Sequence, residues 1–358
     1  MELLELSIHS LRNLISVKFK AEASFNIFYG DNGAGKTSIL EAIHILSHGR
    51  SFRNSRINPL IQHKQPKLWI TGKIQVNGSI HRLGVERSKR GLIARVDGTD
   101  VKSILKLSES FPTLALHPET FNFLKGDPAQ RRAFLDWGAF YADPLFIDNW
   151  RLYRKALKQR NSALKQGLSK KNISLWHEPL AESGEYIQKC RKLYVSNLSS
   201  ELPDLMAKFK HDHEIDITVK SGWSDGISLN DALKSSLDRD IRSGYTHSGP
   251  HRADLLVKLN SHSVSQYASR GQLKLVTVLL KLAQCSLFVK ANKNSCVLLL
   301  DDLSAELDEK SFSNVINVVK DLGLQCFITS INPISQLRNI NISYKMFHVE
   351  HGVIEEVV

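Results

Sequence analysis

The residues best suited to chemistry lie in a glycine-rich segment near the N-terminus. Residues 30–37 read G-D-N-G-A-G-K-T and fit the phosphate-binding pattern G-x-x-x-x-G-K-[ST]. Glycines allow the tight backbone path whose N–H groups wrap around a phosphate. Lys36 would reach the β- and γ-phosphates, and Thr37 would ligate Mg²⁺. The predicted nucleotide contacts are Gly30, Asp31, Asn32, Gly33, Ala34, Gly35, Lys36, Thr37 and Ser38.

The flanking sequence suits this phosphate loop. Residues 25–29 (F-N-I-F-Y) predict a buried strand, and residues 37–46 place apolar side chains at helical spacing. A strand, a loop and a helix in this order are the context that the motif requires, and the alternative is a chance match.

A second group of candidate residues follows an apolar run. Residues 296–300 (C-V-L-L-L) predict a buried strand that delivers Asp301 and Asp302 to its carboxyl end, which is a Walker B pattern. Asp301 would hold Mg²⁺ through water, and Asp302 would orient the attacking water. The alternative is an ordinary strand followed by a capped turn.

A third group opens a long helical run. Ser269, Arg270, Gly271 and Gln272 precede a mostly apolar helix, where free N–H groups and the helix dipole would attract an anion. An ordinary helix cap is the alternative. In this order the tetrapeptide resembles the signature loop of ABC-type ATPases. The segment after the Walker B pattern then resembles their D-loop, with Ser304, Glu306 and Asp308.

Longer strings narrow the resemblance. S-R-G-Q followed by L-L-L-D-D-L-S-A-E-L-D, G-D-P-A-Q-R-R-A-F-L-D at residues 126–136 and S-G-P-H-R-A-D-L at residues 248–255 resemble the RecF family of bacterial recombination-repair ATPases. The resemblance covers residues 3–350. It implies ATP and Mg²⁺ as cofactors, and an ATP-bridged homodimer in which the signature loop acts in trans.

The same resemblance implies partners and a role. The expected target is double-stranded DNA next to single-stranded gaps, with slow, DNA-dependent ATP hydrolysis. RecR and RecO are the expected partners, and loading of the RecA recombinase is the expected outcome. The chain departs from the ABC pattern because it has Asp302 instead of a second glutamate, no histidine at residues 330–332 and no glutamine at residues 116–119. The roles of His247, His251 and Arg252 stay open.

Composition and charge indicate a cytoplasmic, DNA-facing protein without a membrane partner. The 358 residues carry a net charge of +12 and four cysteines without metal-binding spacing. Residues 50–95 hold eleven Lys and Arg against one acid, and residues 151–171 hold eight against none. Such segregated positive charge favours a polyphosphate partner, with solvated charged faces as the alternative. The DNA-contact candidates are Arg53 and Arg56 in the first region, and Arg151, Arg154, Lys155 and Lys158 on one helix face in the second.

The predicted fold is α/β, an ABC-type P-loop ATPase head with an antiparallel β subdomain and an inserted helical arm. Residues 1–125 and 240–358 would form the discontinuous head, and residues 126–239 the arm. Asn77-Gly78 and Asp97-Gly98 predict hairpins, Asp127-Pro128 and Asp143-Pro144 predict helix starts, and Pro203 predicts a helix end.

Three other classes of ATPase or GTPase fit the sequence less well. An SMC- or Rad50-like structural ATPase needs long heptad-bearing segments between its nucleotide motifs, which are absent from this sequence. The ATPase subunit of a membrane transporter has no need of two segregated basic regions. A GTPase is disfavoured because residues 292–295 (N-K-N-S) lack an aspartate that would read guanine.

Overall fold

The computed structural model describes residues 1–53, 59–292, 295–334 and 342–357. Its contacts divide the chain into two compact units, residues 1–121 with 277–358 and residues 122–276. The predicted domain boundaries at 125/126 and 239/240 stay predictions, and the second of them lies earlier in the chain than the boundary between the units.

The first unit contains two six-stranded sheets. One is antiparallel, with the order β2-β1-β4-β5-β6-β7. Its strands are β1 (Glu2–Leu11), β2 (Leu14–Lys20), β4 (Lys67–Val76), β5 (Ser79–Ser88), β6 (Gly91–Val96) and β7 (Thr99–Asp100). The predicted hairpins are confirmed, because Val76 pairs with Ser79 across Asn77-Gly78, and Val96 pairs with Thr99 across Asp97-Gly98.

The second sheet has a parallel centre and the order β15-β14-β3-β13-β12-β8. Strands β14, β3, β13, β12 and β8 run parallel, and β15 closes one edge antiparallel. Their bounds are β3 (Phe25–Tyr29), β8 (Thr113–Leu116), β12 (Val297–Leu300), β13 (Cys326–Ser330), β14 (Tyr344–Glu350) and β15 (Val353–Glu356). All of β12 and β13 is buried, which explains their unbroken apolar runs.

Helix α1 (Lys36–His48) contacts strands of both sheets, and one apolar core joins the three layers. A Cβ on Gly72 of β4 would lie 2.5 Å from the Leu46 side chain of α1, so glycine permits this close approach. The remaining helices of the unit are α2 (Leu105–Ser110), α11 (Leu303–Glu306), α12 (Glu309–Asp321) and the later part of α10 (Arg270–Asn292).

The second unit combines helices with a three-stranded antiparallel sheet of order β11-β10-β9. The strands are β9 (Ile215–Lys220), β10 (Asp254–Leu259) and β11 (His262–Ser263). The helices are α3 (Pro128–Ala142), α4 (Phe146–Lys165), α5 (Lys170–Ser174), α6 (His177–Lys208), α7 (Leu229–Ser235), α8 (Leu237–Ser243) and α9 (Val264–Tyr267).

Two expectations about these helices are corrected. Pro203 does not end α6, which continues to Lys208 because buried Leu202, Leu205 and Met206 hold its last turns in the core. This packing offsets the roughly 3 kcal/mol that an interior proline costs. Asp143 is not the N-cap of α4, which begins at Phe146. By contrast, Asp127 caps α3 by accepting a hydrogen bond from the Ala129 N–H, as the sequence predicts.

Helix α10 is apolar enough to be compared with a membrane span. Its residues 270–291 have a mean hydropathy of 1.5 in their most apolar window, and 72% of that window is buried inside the protein. Such burial is typical of a core helix.

Candidate nucleotide-binding site

The phosphate loop follows β3 and ends in the first turn of α1. Gly30 and Gly35 have φ values of 148° and 120°, which L side chains rarely adopt. A Cβ on Gly30 would lie 2.2 Å from the Val349 carbonyl oxygen, and one on Gly35 would crowd Leu14 and Asn13. The glycines are therefore needed both for the backbone path and for close packing of the loop.

The loop offers donors to an anion. The first turn of α1 has neither a side-chain cap nor an acid, so its amides remain for a phosphate. Lys36 is buried, and its Nζ donates to the carbonyl oxygens of Gly30 at 2.7 Å and Asp31 at 3.0 Å. These bonds hold the ammonium inside the loop that it would complete around a phosphate.

The Walker B carboxylate meets the loop directly. The Thr37 hydroxyl and the Thr329 hydroxyl each donate to Asp301 Oδ1 at 2.8 Å. Burial raises the pKa of Asp301, and the two hydroxyl bonds oppose that rise. Hydroxyl and carboxylate oxygens are the ligands that Mg²⁺ prefers, so Thr37 and Asp301 fit the predicted metal role. Bound Mg²⁺ would neutralise phosphate charge at this point.

Asp302 combines a strained backbone conformation with a carboxylate oxygen that is unpaired among the described residues, as functional residues often do. Its φ is 50°, in the left-handed region that non-glycine residues seldom occupy. Its N–H donates to the Thr329 hydroxyl at 2.9 Å. Its Oδ1 is buried and has no hydrogen-bond partner in the described part of the chain. A carboxylate held this way can accept a proton from a positioned water.

Sequence reasoning missed the residues that brace the loop. The Asn13 side-chain amide donates to the carbonyl oxygens of Gly33 at 3.1 Å and Ala34 at 3.0 Å. Arg12 forms an ion pair with buried Glu41 of α1, with 2.5 Å between Nε and Oε2. Gly352 donates its N–H to the Ala34 carbonyl at 2.8 Å. In the sequence these bracing residues are marked only by the polar pair Arg12-Asn13 at the β1–β2 turn, and this pair belongs to no recognisable motif.

His117 follows β8, at the position after the Leu116–Leu300 pair of the parallel ladder. Its ring contacts Phe52 at a centroid distance of 4.8 Å. Burial, together with the charges of Lys281, His44 and Arg53, lowers the pKa of His117 to about 4. The neutral imidazole of His117 therefore lies in the segment where the ABC pattern has a glutamine that this chain lacks.

Arg53, predicted as a DNA contact, also affects the electrostatics of the candidate nucleotide site. It is exposed, and its charge opposes the burial-driven rise in the pKa of Asp301. Arg53 therefore lies within electrostatic reach of the Walker B carboxylate. Arg56 lies outside the described residues.

The D-loop residues have separate local positions. Ser304 is exposed on α11, and Glu306 ends that helix. Asp308 caps α12 by accepting hydrogen bonds from the Ser311 hydroxyl at 2.7 Å and the Ser311 N–H at 2.9 Å. The bond from the Ser311 hydroxyl, followed by the bond from its N–H, lowers the pKa of Asp308.

The signature segment belongs to the second compact unit. Ser269 Oγ accepts from the Gln272 N–H at 3.2 Å, and Gln272 Oε1 accepts from the Ser269 N–H at 3.0 Å. This reciprocal pair is a capping box at the start of α10. Ser269, Arg270 and Gly271 are exposed, and a Cβ on Gly271 would meet no atom within 4 Å. The helix start therefore presents an open surface.

The longer strings of the second unit are built into its core. Arg131 makes two bonds to Asp254, at 2.6 and 2.9 Å, which tie α3 to β10. Arg191 of α6 pairs with Asp136 and donates to the Pro250 carbonyl at 2.7 Å. Both strings thus contain residues that hold the unit together.

His247 and His251, whose roles the sequence leaves open, make hydrogen bonds within the second unit. His247 Nδ1 lies 2.8 Å from Asp240 Oδ1. His251 Nε2 donates to the Thr246 carbonyl at 3.0 Å, so its Nδ1 accepts from the Tyr153 hydroxyl at 2.5 Å. Burial lowers the pKa of His251 to about 4, which keeps the ring neutral. Arg252 is exposed.

The predicted cationic face of α4 is exposed. Arg151, Arg154, Lys155 and Lys158 all lie on the surface. Arg151 has an acidic neighbour, because its Nη1 lies 3.2 Å from Asp148, and the Arg154 guanidinium lies 5.1 Å from the Trp150 ring centre. Exposed pairs of this kind contribute little and exchange readily.

One cation of this second basic region does not reach the surface. Arg160 is fully buried and donates to Asp240 at 2.8 Å and to the Thr246 hydroxyl at 2.7 Å. Ion pairs occur among the surface cations of both basic regions, and in the second region Lys170 also pairs with Asp238 at 2.6 Å. Lys67, Lys73 and Arg95 each pair with a carboxylate, at 3.0, 3.2 and 2.7 Å.

Comparison with known proteins decides the family. The model of the RecF/RecN/SMC N terminal domain matches residues 2–355. The DNA replication and repair protein RecF of Pseudomonas paraeruginosa (strain DSM 24068 / PA7) is 38% identical over 99% of this chain and 98% of its own length. The chain belongs to the RecF family. The RecF protein of Vibrio cholerae O395 is 35% identical over 99% of this chain and 100% of its own length.

Solved structures agree with the assignment. A structure described as the recombination mediator protein RecF-ATP in the RecFOR pathway has a TM-score of 0.89, 27% identity and coverage of 99% of this chain and 97% of that one. An Smc head domain bound to part of ScpA has a TM-score of 0.59 at 14% identity, over 100% of this chain and 98% of that one, which supports the fold alone. This RecF-family chain therefore has the expected ABC-type ATPase fold of a DNA replication and repair protein.

Proposed function

We propose that this chain is an ATP-dependent DNA-binding protein of recombinational repair and replication-fork maintenance, and that it works in the cytoplasm. The observation that carries the proposal is the 2.8 Å bond between Thr37 and Asp301. It assembles a phosphate loop and a Walker B carboxylate from opposite ends of a chain that matches RecF proteins over its full length.

In the proposed mechanism, each nucleotide is enclosed by two protomers. Lys36 and the amides of residues 33–38 bind the phosphates, and Thr37 and Asp301 hold Mg²⁺. The exposed start of α10 at Ser269 of a second protomer then contacts the γ-phosphate. ATP acts as the bridge of a head-to-tail homodimer, because only the triphosphate is contacted from both sides.

Hydrolysis would release the pair. Asp302, whose Oδ1 has no protein partner in the described residues, orients the attacking water. The Asp301-Asp302 pair has a shorter second carboxylate than Asp-Glu, which favours slow turnover, and DNA would accelerate it. ATP binding and DNA binding are coupled because both favour the dimer.

The exposed cationic face of α4 is the leading candidate for the DNA contact. Four cations lie on one exposed face of this helix, and Arg151 among them has the acidic neighbour Asp148. We propose double-stranded DNA next to single-stranded gaps as the target. RecR and RecO are the proposed partners, in keeping with the RecFOR pathway named for the similar structure, and RecA loading is the proposed outcome.

The alternatives are a structural SMC- or Rad50-like ATPase and a transporter ATPase subunit. The test is DNA binding by fluorescence anisotropy with duplex, single-stranded and gapped DNA, with and without ATP. The proposal predicts tight binding to gapped duplex only with ATP, and loss of the ATP effect in Lys36→Ala. Binding that ignores ATP in both proteins would exclude the proposed coupling, and no binding to any DNA would favour the alternatives.

A further inference from the structure

A groove follows the outer edge of β9 in the second unit. β9 pairs with β10 on one side, and no strand of the described ranges pairs with it on the other. The groove has a volume of about 570 Å³. Its walls are β9, with Ile215 and Ile217, and one face of α6, with Ser199, Leu202 and Met206.

The backbone along this edge is arranged for strand addition. The Asn260 N–H donates to the Glu214 carbonyl at 2.9 Å, which marks the 214–260 pair as hydrogen-bonded. Because antiparallel pairs alternate, the N–H and C=O groups of Ile215, Ile217 and Val219 point away from β10. In the described part of the chain these groups bond to no backbone outside the sheet. An added extended segment would satisfy them.

The helical wall supplies an additional acceptor. Pro203 lies inside α6 and has no N–H, so the Ser199 carbonyl lacks its usual helical partner. Ser199 and Pro203 both line the groove, together with the apolar side chains of Leu202 and Met206. The groove therefore combines hydrogen-bonding groups with an apolar floor, which is what an extended peptide requires.

Charge selects among possible occupants. The residues around the groove include two acids, Glu214 and Asp216, one lysine, Lys258, and His213. Two carboxylates disfavour a phosphate backbone, although the whole chain carries a net charge of +12. A second copy of β9 would bring these acids close to their own counterparts, which is also unfavourable.

We propose that this groove docks an extended segment of a partner protein, added as a strand beside β9. Ile215 and Ile217 are buried on the α6 side, and Asp216 and Thr218 are exposed on the other. The segment should therefore alternate, with an apolar residue facing the groove and Lys or Arg between these positions. The six residues of β9 match a segment of about 20 Å.

The test uses the full-length chain and a capped decapeptide of alternating valine and lysine, without nucleotide or DNA. Fluorescence anisotropy should detect binding, and hydrogen exchange should show new protection at Ile215, Ile217 and Val219. Val219→Pro removes one outward N–H and leaves the bonds to β10, so affinity should fall at least about tenfold, with Val219→Ala as the matched control. Asp216→Lys, at an exposed position, should weaken binding similarly.

Three results would overturn the proposal. One is no binding at peptide concentrations up to about 1 mM. Another is binding that neither Val219→Pro nor Asp216→Lys weakens while circular dichroism shows both variants folded. The third is nucleotide-free self-association in sedimentation velocity that Val219→Pro abolishes, because the occupant would then be a second copy of this chain.

Discussion

The hydroxyl of Thr37 and the carboxylate of Asp301 lie 2.8 Å apart, although 264 positions separate them in the chain. Thr37 is placed by the first turn of α1, and Asp301 by the end of the fully buried strand β12. The parallel ladder of β3, β13 and β12 fixes this distance, since the carboxyl ends of parallel strands meet at one edge. ATP binding and hydrolysis at this site should therefore require segments from both ends of the chain.

Asn13 should be required for tight nucleotide binding, although it belongs to no motif. Asn13→Ala removes two bonds to the loop carbonyls, and the loop should lose its preorganised path. We expect ATP affinity to fall about tenfold, or about 1.4 kcal/mol, in isothermal titration calorimetry. Asn317→Ala, at an exposed position of α12, is the matched control outside the nucleotide site. Equal affinity in Asn13→Ala and the parent chain would rule out the bracing role.

Asp302→Asn should separate ATP binding from hydrolysis. The amide keeps the size of the side chain but is a poor proton acceptor, so phosphate binding is retained while water activation is lost. ATP turnover should fall at least about 100-fold, and ATP-bound dimers should accumulate and hold DNA longer. Phosphate release and sedimentation velocity with ATP measure the two effects. Hydrolysis at the parental rate would remove Asp302 from the mechanism.

Charge reversal on α4 should weaken DNA binding without affecting ATP-driven dimerisation. Replacing Arg151, Arg154, Lys155 and Lys158 by Glu should lower affinity and reduce the slope of log affinity against log salt, by up to about 0.9 per lost phosphate contact. The control changes the net charge equally at exposed positions elsewhere, namely Lys20, Lys106, Lys310 and Lys320. If both variants bind alike, α4 is merely solvated and the antiparallel sheet becomes the candidate.

The buried neutral histidines should make the fold sensitive to acid. The folded-state pKa of His251 is about 4, against 6.5 when unfolded, so the unfolded chain binds the extra proton between these values. Its contribution to stability is complete above pH 6.5 and is lost as the pH falls towards 4. His251→Gln can donate and accept like the neutral ring, and should make the urea midpoint fall less between pH 7 and pH 5. An unchanged fall would mean that His251 does not titrate in this window.

Local sequence patterns predicted the strand, loop and hairpin elements around the candidate nucleotide site. The phosphate loop and the Walker B strand are contiguous strings whose neighbours have the right periodicity, and the Asn-Gly and Asp-Gly turns fix hairpins through positive φ at both central residues. The sequence also predicted a helix start at Ser269, and the structure has a capping box of Ser269 and Gln272 there.

The rest depended on tertiary packing. In the sequence, Arg160 is one of eight cations in a basic segment, which suggests an exposed side chain. Its burial is explained only by the buried carboxylate of Asp240, which lies 80 positions later. Pro203 reads as a helix end in isolation, whereas the burial of its neighbours extends α6 past it. Asn13 lies 20 positions from the carbonyl of Gly33 and carries no periodic signal, so no local pattern could assign it.

The measurement that tests the central claim most directly is complementation between two inactive variants. Lys36→Ala has an intact signature loop and Ser269→Arg has an intact phosphate loop, so each protein alone should lack ATP turnover. In a head-to-tail dimer, a mixed pair rebuilds one complete site from the Lys36 of one protomer and the Ser269 of the other. The account predicts that mixing restores ATP hydrolysis and DNA binding with ATP, and that Lys36→Ala mixed with Asp302→Asn restores hydrolysis much less. If mixing the first pair restores nothing although both variants are folded, the nucleotide site does not form between protomers.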